Sequence, residues 1–286
     1  MDSEFYIREM QVEDLNDAMR LKSEEGWNQT RFDWELFLTN NPDLCLVVIA
    51  DDKVVGTVCS FSYKGKLAWI GMMLVDRMYR RKGISKKLMR EVIQRLGTNQ
   101  TIKLDATPAG QMVYEQLGFV KEYSLFRWIR PQGKSQIWGF PTEEVLEIEE
   151  EDFDAILSYD KKVFGADREE VLQQLFANFP NGAFMVKRDQ EIEGFMFCRP
   201  GSKFLQFGPL VATNDKVAQV LISKALAHFY DRDLVLDLAE HHANLNPWLE
   251  KCGFSKQREL IRMFIPPNAA KGTVENYYLI TGPELG

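Results

Sequence analysis

The run Arg80, Arg81, Lys82, Gly83, Ile84, Ser85 lies between an alternating apolar segment, 67–75, and an amphipathic one that begins near Gly83. A strand that turns at a glycine into a helix makes an anion site. The first turn of a helix exposes unpaired N–H groups and the positive end of the dipole, and glycine lets a phosphate approach the backbone closely. Arg80 and Arg81 can add charge-assisted bonds. Arg77, Lys82, Lys86, Lys87 and Arg90 enlarge the positive patch within a chain of net charge -7. Basic runs are usually solvated helix faces; the position directly after a strand favours a ligand here.

The elements that hold this turn are legible from their periods. Segments 44–50, 54–63 and 67–75 alternate like strands of a meander, with a turn at Asp51, Asp52 and Lys53. Ahead of them, 12–23 and 32–38 carry helical spacing, with Asp33 expected as a cap. The loop between these helices holds Gly26, Trp27, Asn28 and Gln29. After the turn, Ile84, Leu88, Val92 and Leu96 form the apolar stripe of a helix. A short strand at 102–106, Thr107 and Pro108, a helix at 109–117, the stop signal Gly118 and a strand at 119–130 complete the order αα, βββ, α, β, α, β.

Pro131, Gly133, Gly139 and Pro141, followed by the acidic run 147–152, read as a linker with its boundary near residue 140. Beyond it the grammar recurs: helices at 153–164 and 168–176, strands at 183–188, 192–199 and 204–211, then helix, strand, helix, strand. Gly56 matches Gly194, the run Leu104, Asp105, Ala106 matches Leu236, Asp237, Leu238, and Gly118 with Phe119 matches Gly253 with Phe254. The fold class expected is α/β with mixed sheets, in two tandem domains at 1–135 and 141–286. The copies differ at the turn: Gly71 to Leu88 spans 17 residues, Gly208 to Leu221 only 13. The second copy has Thr213, Asn214, Asp215 and Lys216 in place of the basic loop.

A chain of 286 residues, 45% hydrophobic and 27% charged, has material for two cores. Its acidic balance excludes a general affinity for nucleic acid. Cys45, Cys59, Cys198 and Cys252 are scattered, without zinc or disulfide spacing, and read as buried thiols of a reducing compartment. Residues 1–11 lack an apolar core stretch and no apolar run is long enough for a bilayer, so the cytoplasm is expected and no membrane partner. His228, His241 and His242 show no ligand spacing with the cysteines, and the adjacent pair would point to opposite sides if extended; no metal is assigned.

Arg80-x-x-Gly83-x-Ser85 resembles the acetyl-CoA loop of the GCN5-related N-acetyltransferases, Gln or Arg, x, x, Gly, x, Gly or Ala, with serine in the last small position. Tyr114 to Gly118 and Phe119 resembles the family's signature of Tyr, three residues, then Gly-Phe. The resemblance implies two acyl-CoA N-acyltransferase-like domains, with acetyl-CoA held by Arg80, Arg81, Lys82, Gly83, Ile84 and Ser85. It further implies that the backbone of Leu74 and Val75 pairs with the pantetheine arm and that Thr107 takes the place of a contacting asparagine.

By the same resemblance, Tyr114 is the general acid that protonates the departing thiolate, and Trp27, Asn28 and Gln29 line the acceptor site. The expected activity is direct acetyl transfer to a small-molecule or peptide amine in a ternary complex. The alternative is a non-catalytic acyl-CoA sensor. The second copy places Leu249 where tyrosine is required and reads as degenerate, shaping the substrate pocket or supporting the fold. Asp105 reads as a strand-end acid because Asp237 repeats it in the copy without the loop, and Cys45 and Cys59 read as inert strand thiols.

Overall fold

A computed structural model describes residues 5–133, 140–142, 144–189 and 191–286; Met1 and Gly139 lie outside the described residues. The chain divides into two units. Unit 1 holds Met1–Val120, Met263–Ala269 and Pro283–Leu285, and unit 2 holds Lys121–Arg262, Ala270–Gly282 and Gly286.

In unit 1, β1 (Tyr6–Glu9) precedes α1 (Leu15–Glu24) and α2 (Arg31–Asn40), then β2 (Cys45–Ala50), β3 (Lys53–Tyr63), β4 (Leu67–Val75), α3 (Ile84–Leu96), β5 (Thr101–Ala106) and α4 (Pro108–Glu115). The strand order follows the chain; β1 to β4 are antiparallel neighbours and β5 is parallel to β4. Every residue of β2 is buried, as a β-branched run between two helical layers should be. Ile84, Leu88, Met89, Val92 and Leu96 bury the stripe of α3. Gly56 lets that helix come close: a Cβ there would stand 3.0 Å from Ile84 Cγ2. The cap of α2 is Thr30 rather than Asp33, which sits at the third helical position and accepts the Thr30 N–H at 2.6 Å.

Unit 2 repeats the order. β6 (Val120–Arg130) enters it at Lys121, followed by β7 (Val145–Glu147), α5 (Phe153–Phe164), α6 (Glu169–Asn178), β8 (Ala183–Arg188), β9 (Glu191–Pro200) and β10 (Leu205–Ala212). Then come α7 (Asp215–His228), β11 (Leu234–Ala239), α8 (Asn246–Lys251), β12 (Ser255–Ile265) and β13 (Tyr277–Leu279). The sheet runs β12-β6-β11-β13-β10-β9-β8-β7.

The repeat reaches small devices. Asp14 accepts the Gln11 N–H at 2.8 Å, and Asp152 accepts the Glu149 N–H at 3.0 Å. At Gly194, the counterpart of Gly56, a Cβ would stand 2.6 Å from Val217 Cγ1 of α7. The core of this unit gathers Trp128, Phe184, Phe207, Leu221, Leu236 and Leu249. The mixed α/β class expected from the periods is the one observed.

Candidate active site

Two loops of unit 1 follow the carboxyl ends of neighbouring parallel strands, where open α/β sheets bind ligands. The first joins β4 to α3. Gly83 precedes the helix at φ 79°, and a Cβ built on it would meet nothing within 4 Å, so the turn faces open space. Arg81 is also left-handed at φ 64°. The first helical bond runs from the Lys87 N–H to the Gly83 carbonyl, and no side chain caps the helix. The N–H groups of Ile84, Ser85 and Lys86 therefore point forward without helical acceptors, as an anion cradle requires.

The second feature is a parting of strands. β4 and β5 pair only at Leu67 with Thr101, Ala68 with Ile102 and Trp69 with Lys103, although β4 runs on to Val75 and β5 to Ala106. The cause is a bulge. The register between β3 and β4 slips between Cys59–Gly71 and Thr57–Leu74, with Met72 at φ 53° and its carbonyl accepting the Thr57 hydroxyl at 2.7 Å. Leu74 and Val75 thus lie on a β4 edge that β5 does not cover, and the Val75 carbonyl accepts from Arg80 Nε at 3.2 Å.

Tyr114 comes from α4, the helix that follows β5. Gly110 makes room for its ring: a Cβ there would stand 3.1 Å from Tyr114 Cε2. The ring rests against Phe119 at 6.0 Å between centroids. Desolvation pushes its phenol up to about 12, so the hydroxyl keeps its proton near neutral pH. Thr107 caps α4, its Oγ1 accepting from the Gly110 N–H at 3.2 Å.

Unit 2 has the same two places, filled. β10 and β11 pair at Leu205, Gln206 and Phe207 and then part at a bulge around Gly208, but β13 fills the gap, pairing with Leu210 and Val211 on one side and Leu238 on the other. Arg168 fixes this plug: it forks onto Asp160 at 2.6 and 2.8 Å and donates to the Tyr277 and Thr281 hydroxyls. The helix start is filled too, because Asn214 Oδ1 accepts the Val217 N–H at 3.1 Å. Leu249 is fully buried. Asp237, the counterpart of Asp105, is locked to Arg127 by two bonds of 2.8 and 2.7 Å.

The pattern of the Acetyltransferase (GNAT) family matches residues 8–119, and that of an Acetyltransferase (GNAT) domain matches residues 156–279. This chain belongs to the GNAT acetyltransferases. It carries two GNAT domains in tandem. The uncharacterized N-acetyltransferase YitH of Bacillus subtilis is 28% identical to it over 222 residues, 76% of each chain. The holothin acyltransferase of a Pseudoalteromonas species is 23% identical over 241 residues, 84% of this chain and 81% of its own. The solved structure of a presumptive acetyltransferase from Pyrococcus horikoshii superposes with a TM-score of 0.81 at 27% identity, over 99% of this chain and 96% of that one. GNAT enzymes move an acyl group from acyl-CoA to an amine, and acetyl-CoA is the co-substrate of the family.

Of the three residues expected to line the acceptor site, Trp27 is half-buried while Asn28 and Gln29 are buried. Gln29 Nε2 donates to Glu284 Oε2 at 2.7 Å. Sequence reading missed Glu284, which lies 255 positions away, and it missed Glu25, whose carboxylate holds Arg77 at 3.0 Å and Arg80 at 2.6 Å. No local signal marks either residue.

Cys45 and Cys59 face each other across β2 and β3 as free buried thiols, and burial pushes the Cys59 thiol up. His241 and His242 lie in a short helical turn rather than an extended stretch; one packs edge-on to Tyr123 and the other stacks on Tyr278 at 3.6 Å. Among the described residues no group of three or more His, Cys, Asp or Glu could hold a metal, and no helix is long and apolar enough to cross a membrane.

Proposed function

We propose that the first domain binds acetyl-CoA and transfers its acetyl group by direct attack of a small-molecule or peptide amine, while the second binds no cofactor and serves support or substrate shaping. The observation that carries this reading is the contrast between the copies: among the described residues no strand pairs with β4 on its β5 side beyond Trp69 and no side chain caps α3, whereas in the other copy β13 pairs in the gap and Asn214 caps the helix.

In this reading the N–H groups of the turn from Arg80 to Ser85, with the Arg80, Arg81 and Lys82 side chains, hold the diphosphate. The uncovered edge at Leu74 and Val75 offers main-chain groups to the pantetheine amides, and the Thr107 hydroxyl proton remains available to the arm. Acetyl-CoA supplies the activated thioester. Tyr114, protonated over the working range, donates its proton to the departing sulfur. Trp27, Asn28 and Gln29 line the acceptor side. Four buried free cysteines fit a reducing compartment, and we place the protein in the cytoplasm.

Free CoA released from acetyl-CoA is followed with a thiol reagent across a panel of aliphatic amines, amino sugars, polyamines and peptide N-termini. Release with at least one class, lost in Tyr114→Phe, is expected. Binding of acetyl-CoA without release by any member would contradict transfer and leave a sensor.

A further inference from the structure

The ladder between β3 and β4 carries one extra residue on β4. Cys59 faces Gly71 and Thr57 faces Leu74, so the register gives no partner across these strands to Val58, Met72 or Met73. Met72 stands there at φ 53°, in the left-handed region that residues other than glycine seldom enter, and is buried. Such a conformation persists only where its surroundings hold it. The Thr57 hydroxyl, itself fully buried, donates to the Met72 carbonyl at 2.7 Å.

Unit 2 has a bulge of the same size and reaches it by other means. Cys198 faces Phe207 and Met196 faces Leu210, again one extra residue on the later strand. Here the positive φ, 133°, falls on Gly208, where no side chain resists it. Phe195 follows Gly194 as Thr57 follows Gly56; it is fully buried, with its ring 5.8 Å from that of Phe197. A glycine bulge needs no hydroxyl, and this copy has none at that position.

The bulge decides what the β4 edge offers. Along an antiparallel strand the main-chain groups of successive residues turn alternately to one neighbour and to the other. One extra residue therefore reverses the sides of every residue after it. With the bulge, Leu74 faces Thr57 and Val75 faces Gly56; without it, Leu74 would face Gly56, and the groups it now turns away from β3 would turn toward it. The amides at Gly83 stand outside this ladder, since they belong to the start of α3, which lies on β3 at Gly56.

We infer that Thr57 is a positioning residue for the cofactor: its hydroxyl holds the bulge and so sets which main-chain groups of Leu74 and Val75 meet the pantetheine arm. This rests on the reading that the first domain binds acetyl-CoA along that edge.

The test compares acetyl-CoA with phosphoadenosine diphosphate, the cofactor without its pantetheine arm, by titration calorimetry of the full chain. Thr57→Val keeps nearly the same shape and removes the hydroxyl. It should weaken acetyl-CoA at least about tenfold and leave phosphoadenosine diphosphate within about twofold, and Thr57→Ser should restore the wild-type ratio. A general loss of structure would weaken both ligands together. Equal loss of both in Thr57→Val, or an unchanged acetyl-CoA affinity, overturns the inference. If Thr57→Val does not fold, Met72→Gly is added to it, because glycine takes the positive φ unaided, as Gly208 does. Acetyl-CoA affinity within about threefold of wild type in the double variant supports the inference. Loss of acetyl-CoA binding, or of folding, in the double variant refutes it. Wild type that binds acetyl-CoA no more tightly than phosphoadenosine diphosphate would instead overturn the reading of the Leu74 and Val75 edge, so the two fail separately.

Discussion

Arg80 Nη2 lies 2.6 Å from Glu25 Oε1, at the end of α1. The arginine that should meet the cofactor's phosphates already holds a carboxylate, and Arg77 shares it at 3.0 Å. On the proposed reading, a diphosphate at this turn would exchange one anion for another and release Glu25, which stands just before the proposed acceptor loop. Both partners are partly exposed, which limits each pair to roughly 0.2–1 kcal/mol.

Glu25→Gln should therefore tighten acetyl-CoA by about two- to fivefold, an effect that shrinks as salt is added. Titration calorimetry at two ionic strengths checks it. Weaker binding in the variant would mean that Glu25 supports the turn instead of competing for it.

Tyr114→Phe should lower kcat by at least about a hundredfold, in the range of general acid catalysis, and leave acetyl-CoA affinity unchanged. The direction of the pH effect follows from the phenol being pushed up to about 12. The donating form is the protonated one, present below that value and lost as pH rises through it. The kcat profile should show no descending limb below about pH 10 from this group; a limb near 8 to 9 that vanishes in the phenylalanine variant would disprove the assignment.

Asp237 is fully buried, and the Arg127 fork keeps its carboxyl below the usual carboxylate range against the opposing effect of burial. Arg127→Leu strands this charge and should cost about 3–5 kcal/mol of unfolding free energy in urea. The same depressed value makes the pair's contribution present above the unfolded carboxylate range and lost as pH falls through the folded value. A loss under about 1 kcal/mol would show that the pair is dispensable.

Much of this arrangement is written locally. The glycine pair Gly56 and Gly194 marks the repeat because each lets a helix start lie on a strand within a single copy. The turn at Gly83 and the ring at Tyr114 are legible for the same reason. The strands β1, β7 and β13 escape periodic reading because each has only three or four residues. Pairing across 255 positions leaves no local trace, so Glu284 and the plug of the second cleft had to be seen. Thr30 outranks Asp33 as a cap because Asp33 answers it from inside the helix.

The central claim is that one of two similar clefts takes the cofactor, through the turn at Gly83. Calorimetric titration of the full chain with acetyl-CoA tests it most directly. One site per chain, abolished by Gly83→Glu, which sets bulk and negative charge at the diphosphate, is the expected result. Two sites per chain, or a single site that survives Gly83→Glu, would contradict it.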